Sequence, residues 1–408
     1  MPATNAVTVL TGQIQEKFQQ ACLILSDGHP EEALAEFRRL LPLAPHFPGL
    51  HFYIGYSLNT LGHCQEAIES YQRALQLDPQ SSQAAANISH ALVAQGKWSA
   101  GWQYYDQLLS RNFPSLFGPL TAWNGECFSG KRLLVFNEGG LGDTLQNIRF
   151  LPQIKQRGGH ITLLAQPSLC PLLAGASGFD KLLAGDSPKH LPVLRPHYDF
   201  HVRLGRLPLL LGITPLSPMA PYLTPPVKLE QHWRQIVNLE AGTSAARIGL
   251  VWHGSAKNKN RALDRTCPLA ALAPLFHLPQ FFFVSLQIGA GHEELTPLST
   301  PRQPRDFAPE LTNFAHTAAL IAQLDLVITI DTATAHLAGA LGKPTWVLLP
   351  FFPESRWQFQ RSDTPWYSSL RLFRQPRPGD WPAVVQQIMQ ELNSWHQSNL
   401  LRQKAAIL

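Results

Sequence analysis

Residues 131–144 read KRLLVFNEGGLGDT. The run Lys131–Glu138 is apolar and ends in polar residues, the pattern of a strand buried in a parallel sheet. The glycines behind it permit a tight turn and a close backbone approach. Helical periodicity then runs to about Gln156, Gly158-Gly159 closes it, and His160–Gln166 (HITLLAQ) reads as the next strand. Strand, glycine loop, helix and strand form a βαβ unit, which implies a parallel sheet. Helix and strand candidates follow at 168–175 and 180–184. Pro188–Pro226 is rich in proline and gives no assignment beyond an apolar stretch at Leu204–Ile213.

Downstream the alternation resumes. Ile248–Trp252 reads as a strand and His253–Arg265 (HGSAKNKNRALDR) as a polar, basic loop. A helix is expected at Pro268–Phe276, a strand at Phe281–Gln287 and a helix at Phe314–Leu324. The strand Leu326–Ile330 delivers Asp331, the helix Ala333–Leu341 stops at Gly342, Pro344–Leu349 is a strand, and Trp381–Trp395 is a closing amphipathic helix. These elements describe two doubly wound α/β domains, in which ligands bind beyond the carboxyl ends of the strands.

Upstream the chain repeats. Gly28, Gly62 and Gly96 are 34 residues apart. The small residues Ala33, Ala67 and Gly101, the aromatics Phe37, Tyr71 and Tyr105, and the leucines Leu41, Leu75 and Leu109 keep the same period. So do Ile24, Leu58 and Leu92 ahead of each glycine, while Pro45 and Pro79 have only Phe113-Pro114 as a third counterpart. Small, aromatic and leucine positions four apart form one helical face. The spacing resembles the tetratricopeptide repeat. About three units are expected over 14–115, the last one degenerate and cap-like; a non-repeating helical bundle is the alternative. Such an arm serves equally for peptide binding, dimerisation or packing.

Composition excludes several classes. The 33 basic and 28 acidic residues leave a net charge of +5, and no run of five Lys or Arg exists, so a dedicated nucleic-acid binder is disfavoured. The five cysteines have no CxxC or metal-ligand spacing, which argues against zinc and for a reducing, cytoplasmic setting. No secretory signal and no membrane span are expected. Oligomeric state has no sequence signal.

Three strand-helix junctions concentrate chemistry. In Gly139–Asp143 the spacing G-G-x-G-D is neither the dinucleotide fingerprint nor a P-loop. Gly140 and Gly142 expose backbone amides; Asp143 is either a carboxylate satisfying the helix N-terminus or a general base. In the loop 253–265, Lys257, Lys259, Arg261 and Arg265 follow His253, Gly254 and other small residues, which suits a diphosphate or simply a solvated basic loop. At Asp331–His336 (DTATAH), Thr332 or Thr334 can cap a helix whose amides face an anion, with His336 in its first turns; Asp331 can equally be a cap. Trp366, Tyr367, Arg356 and Trp357 suit either stacking on a base or sugar or packing between segments. The chain has no Asp-x-Asp pair, so a leaving diphosphate would have to be stabilised by basic side chains and helix N-termini rather than by a metal.

The segments NEGGLGDTLQNIRFLP, VWHGSAKNKNRALDRTCPLAALAPL, DLVITIDTATAHLAGALGKPTWVLLPF and LFRQPRPGDW resemble the heptosyltransferase-type glycosyltransferases, and more closely the bacterial proteins in which tetratricopeptide repeats precede such a domain. The resemblance covers about residues 14–395. It implies an α/β protein with an N-terminal all-α repeat arm and two Rossmann-like domains of GT-B type, an acceptor-side domain at 116–230 and a nucleotide-sugar domain at 231–408. It implies an inverting, metal-independent transfer from an ADP- or UDP-linked sugar to a protein or glycan acceptor. Asp143 matches the family's presumed base, Lys259 its phosphate-contacting loop, and Asp331, Thr332 and His336 its donor motif. Ala333 departs from a frequent family glycine, and His253 from a usual small residue. A non-catalytic repeat scaffold with a degenerate nucleotide-binding half is the alternative from another class.

Overall fold

Three helices end in one geometry. In the computed structural model of the protein, Gly28, Gly62 and Gly96 have φ of 92°, 83° and 76°, a region that side chains disfavour. The residues that follow, His29, His63 and Lys97, donate their N–H groups to the carbonyls of Ile24, Leu58 and Leu92 at 3.2, 2.9 and 2.9 Å. This six-to-one bond is the mark of a Schellman cap. The structure describes residues 12–112, 121–137, 139–186, 197–213, 221–241, 246–254, 265–298, 300, 302–359 and 361–407.

The capped helices pair as hairpins: α1 (Gly12–Ser26) with α2 (Pro30–Leu40), α3 (Pro48–Thr60) with α4 (Cys64–Leu77), and α5 (Ser82–Ala94) with α6 (Trp98–Asn112). Small residues let each pair close: a Cβ on Gly101 would come 2.7 Å from Val93 Cγ2. Phe37 and Tyr71 are fully buried, whereas Tyr105 is half-buried, so the third hairpin is the least complete. Phe352–Arg361 belongs to this helical unit, and its 3-10 turn, Ser355–Trp357, lies against α5. Helices α1, α3 and α5 together line a groove of about 420 Å³, formed by Cys22, Leu25, Ser26, Phe52, Tyr53, Tyr56, Gln83, Ala86 and Asn87. Every side chain in that lining is uncharged at neutral pH.

The second unit holds two parallel sheets. The first comprises β1 (Thr121–Ala122), β2 (Arg132–Phe136), β3 (His160–Ala165), β4 (Lys181–Ala184) and β5 (Phe200–Arg203), in the order β1-β5-β2-β3-β4. The second comprises β6 (Ala246–Val251), β7 (Phe281–Ser285), β8 (Arg305–Asp306), β9 (Leu326–Ile330), β10 (Thr345–Leu349) and β11 (Leu370–Arg374), in the order β11-β10-β9-β6-β7-β8. Around the first sheet run α7 (Leu141–Asn147), α8 (Leu151–Lys155), α9 (Cys170–Leu173) and α10 (Leu207–Leu210). Then come α11 (Val227–Ala241), α12 (Leu269–Leu272), α13 (Phe314–Ala322), α14 (Ala333–Ala340) and α15 (Trp381–Ile407). Every residue of β9 and β10 is buried, as expected of a sheet covered on both faces.

Three expectations change. The helix expected at Pro268–Phe276 is only the short α12, followed by a 3-10 turn at Ala273–His277. The helix expected to run from the glycine loop to Gln156 is broken: α7 gives way to a 3-10 turn at Ile148–Phe150 before α8. Pro152, at the start of α8, has no N–H to continue an α-helical ladder. The stretch without an assignment contains β5, which pairs with β2 through Leu133–Phe200 to Phe136–Arg203. Its alternation, Phe200 and Val202 buried with His201 and Arg203 half-buried, is short and is diluted by polar residues.

Both sheets reverse direction where the chemistry was expected. In the first, the chain builds outward from β2 to β4 and then returns to β2's other side with β5. In the second it runs from β6 to β8 and then starts again at β9, beside β6. The Gly139–Asp143 loop follows β2, and His253 and Asp331 follow β6 and β9. These are the switch points at which parallel sheets bind ligands.

Candidate active site

Local hydrogen bonds shape the glycine loop. Asn137 Oδ1 accepts from Gly139 N at 3.1 Å while its amide donates to Gly139 O. Gln166, at the end of β3, donates to the same carbonyl at 3.3 Å and accepts from Thr144 Oγ1 at 2.8 Å. Gly140 is the N-cap of α7, and Asp143 Oδ2 accepts its N–H at 2.8 Å. One carboxylate oxygen of Asp143 therefore serves as a helix cap; the side chain is half-buried.

Across from it lies the start of α14. Thr332 is the N-cap in extended conformation, but its side chain does not cap; Oγ1 pairs instead with Thr329 Oγ1 at 3.2 Å. The Thr332 side chain thus does not cap α14, and a helix start of this kind favours an anion. Asp331 is 6% exposed, and Arg265 Nη1 reaches its Oδ2 at 3.5 Å. Arg265 also lies along Gly254, where a Cβ would come 3.0 Å from Nε. Arg265, Gly254 and Asp331 are thereby brought together. Thr334 and His336 are buried in α14.

The two helix starts meet. A Cβ on Gly142 would fall 2.7 Å from His336 Cδ2, 3.4 Å from Nε2 and 3.5 Å from Ala333 Cα. The Gly-Asp loop of the first sheet and the Asp-Thr-x-x-x-His segment of the second thus share one seam, with two positive helix ends converging on it.

His253 is oriented differently. Its Nδ1 pairs with Gly254 O at 2.6 Å, and its ring packs against Gly291. Its N–H and that of Trp252 both reach Gln287 Oε1, at 3.0 and 3.1 Å. Gln287, for which the sequence suggested no role, is 3% exposed and ties the end of β6 to the loop after β7. Lys257, Lys259 and Arg261 lie outside the described residues, as does Glu138.

A second unforeseen residue is Arg149, in the turn after α7 and 4% exposed. It donates from Nε to Gln146 O at 2.7 Å, from Nη1 to Trp366 O at 2.7 Å and from Nη2 to Tyr222 Oη at 2.9 Å. Its guanidinium sits 4.5 Å from the Tyr367 ring and 4.6 Å from that of Tyr222. Burial opposes its charge, but the two tyrosines outweigh burial and hold its pKa above the usual value. An arginine between Ile148 and Phe150 was the available signal. Trp366 and Tyr367 are buried packing residues of this unit, while Trp357 and Arg356, the latter paired with Glu354 at 2.5 Å, belong to the helical unit.

Comparison with known proteins places these segments. Residues 18–82 match the tetratricopeptide repeat family and residues 290–390 match glycosyltransferase family 9 (heptosyltransferase). A tetratricopeptide region and a glycosyltransferase family 9 segment share this chain. The second match contains Asp331, Thr332, Thr334 and His336, and begins beyond Asp143 and Arg265. Protein FlbA of Caulobacter vibrioides is 26% identical over 396 residues, covering 90% of this chain; the chain spans 65% of that relative's length. The glycosyl transferase family 9 structure from Veillonella parvula aligns over 62% of this chain and 88% of its own, with a TM-score of 0.47 and 16% identity. The E. coli ADP-heptose LPS heptosyltransferase II aligns over 64% and 98%, with a TM-score of 0.44 and 18% identity.

Proposed function

We propose that the protein is an inverting glycosyltransferase that moves a sugar from a nucleotide-diphosphate donor, ADP- or UDP-linked, to an acceptor hydroxyl. The observation that carries this reading is the seam between α7 and α14, where Gly142, the neighbour of Asp143 in the chain, packs against Ala333 and His336 within the stretch that matches glycosyltransferase family 9. The diphosphate lies at the start of α14, held by the first-turn amides and Arg265. The acceptor oxygen attacks the anomeric carbon as the bond from that carbon to the diphosphate oxygen breaks. The electron pair leaves with the diphosphate, and the acceptor proton passes to the Asp143 carboxylate. One displacement inverts the anomeric centre. Positive charge from Arg265 and from the helix ends takes the place of a metal, so a chelator leaves turnover unchanged.

The acceptor is a polypeptide. What supports this is the groove on α1, α3 and α5, whose Phe52, Tyr53 and Tyr56 offer aromatic faces and whose Gln83 and Asn87 offer amides. A donor of this kind and five unpaired thiols suit the cytoplasm. Among the described residues, no helix is long and apolar enough to cross a membrane.

Calorimetry and thermal shift with ADP, UDP, GDP, CDP and dTDP test the donor side, on wild type and Asp331→Ala. One diphosphate at 100 times its dissociation constant stabilises the wild type by about 2.7 kcal/mol, and the variant loses the effect. A folded wild type that binds none of the five removes the transferase reading.

A further inference from the structure

Helices α7 and α14 meet at their N-terminal ends, where Gly142 packs against Ala333 and His336. Their C-terminal ends share a partner as well. The last four carbonyls of a helix have no intrahelical donor. In α14 those of Ala338 and Gly339 accept from the N–H groups of Lys343 and Gly342 at 2.9 and 3.1 Å. Ala340 O lies beyond that turn and accepts instead from the N–H groups of Tyr222 and Leu223, at 3.0 and 3.2 Å. Pro221 seats this segment on the end of α14, where a Cβ on Gly342 would enter the proline ring. In α7, Leu145 O accepts from Tyr222 Oη at 2.8 Å and Gln146 O accepts from Arg149 Nε at 2.7 Å. Tyr222 therefore caps both helices, α14 through its backbone and α7 through its side chain. Arg149 Nη2 donates to the same hydroxyl at 2.9 Å. A guanidinium can only donate, so the hydroxyl proton is directed to Leu145 O.

We propose that Tyr222 is a positioning residue that fixes the lengthwise register of α7 against α14, with Arg149 holding its hydroxyl in place. Asp143 is on α7 and the candidate phosphate site is the start of α14, so the register sets how far the carboxylate stands from that site. With only seven residues, about two turns, α7 carries a shift at its C-terminal end through to Asp143. A displacement of about 1 Å between reacting groups costs about 10²-fold in rate. This consequence for transfer rests on the glycosyltransferase reading; the register does not. Tyr222 lies in the stretch between β5 and β6, so the segment that joins the two sheets also aligns a helix of each.

A double-mutant cycle in urea on the full-length protein tests the register. Gly142→Ala presses a methyl group into His336, and the size of its penalty reports whether the helices can slide. Tyr222→Phe removes the hydroxyl bond to α7 and keeps the ring and the backbone bond to α14. In the Tyr222→Phe background the Gly142→Ala loss of urea midpoint falls to about half its wild-type value, as for coupled positions. The same loss in both backgrounds overturns the proposal, because a hydroxyl that contributes only stability adds independently of Gly142. Tyr222→Phe leaves one Arg149 donor unmet. Joined to Arg149→Met it removes the donors together with the acceptor, and that pair is the background, under the same criterion, if the single variant does not fold. Inorganic pyrophosphate is the ligand probe, followed by calorimetry. Its dissociation constant in Tyr222→Phe stays within about twofold of wild type, as for independent sites, because the cap on α14 is retained. A larger loss places the effect of the hydroxyl on α14 and overturns the division of roles. A wild type that shows the coupling but binds neither pyrophosphate nor any nucleoside diphosphate sustains the register and removes its part in transfer.

Discussion

Gly142 and His336 touch so closely that the smallest side chain at Gly142 would enter the imidazole, 2.7 Å from Cδ2. His336 cannot yield, because it is 3% exposed and bonded through Nδ1 to the buried Tyr367. Gly142→Ala sets two effects against each other. Alanine favours a helix by up to about 1 kcal/mol over glycine, and overpacking costs about 1–3 kcal/mol. Overpacking wins here, so urea denaturation shows a net loss of about 1–2 kcal/mol. The same variant pushes α7 and α14 apart and weakens diphosphate binding more than its stability loss alone would, which a titration at a temperature well below unfolding measures.

How much of this seam is legible in sequence follows from the range of its interactions. Asp331 and His336 stand out because an apolar five-residue strand ends abruptly in a charge and a short helix follows. The repeats stand out because each cap bond spans only five residues, Ile24 to His29 for example, so a local signature recurs with the period. Arg149 gives no comparable signal: its partners Tyr222 and Trp366 lie 73 and 217 residues away, and only folding brings them together. Gln287 is hidden for the same reason, bonding amides 34 and 35 residues upstream. Strand β5 escapes because four residues containing a histidine and an arginine carry too little apolar periodicity to be read.

Two glycines of the second repeat separate backbone strain from packing. Gly62 has φ of 83°, and a Cβ there would have nothing within 4 Å, so Gly62→Ala meets only the left-handed conformation and costs about 1–2 kcal/mol. Gly55 has ordinary backbone, but a Cβ there would come 2.8 Å from Tyr71 Cδ1, a fully buried ring. Gly55→Ala therefore costs about 1–3 kcal/mol through overpacking. Replacing Tyr71 with leucine relieves the second variant and not the first, and a double-mutant cycle in urea reads the difference.

Cys267 makes stability depend on alkaline pH. Its thiol is pushed up to about 12, by burial first and by the charge of Glu294 second. The unfolded chain ionises near about pH 8.5. Between those values the unfolded state sheds a proton that the folded state keeps. Stability is thus unaffected below about pH 8.5 and falls as the pH rises beyond it, by at most about 1.4 kcal/mol per pH unit for this thiol. Unfolding curves at about pH 7.5 and about pH 9.5 should show a larger loss for wild type than for Cys267→Ala. In the native protein the exposed Cys127 reacts with a maleimide while Cys267 stays protected.

Asp143 has two roles that substitution can separate. As a cap it accepts the Gly140 N–H through Oδ2, and an asparagine oxygen can accept the same bond. Asp143→Asn therefore loses only the interaction of a charge with the helix end, about 0.3–1 kcal/mol. Asp143→Ala loses the bond as well, for about 0.5–2 kcal/mol in total. As a base the carboxylate has no substitute, and both variants lose about 10²–10⁴ in turnover with diphosphate affinity preserved. The acid limb of the pH–rate profile disappears with it. Stability, turnover and diphosphate affinity measured on the two variants give a graded loss in the first and an equal loss in the second. Wild-type turnover in Asp143→Asn would reduce Asp143 to a cap and move the search for the base elsewhere along the seam.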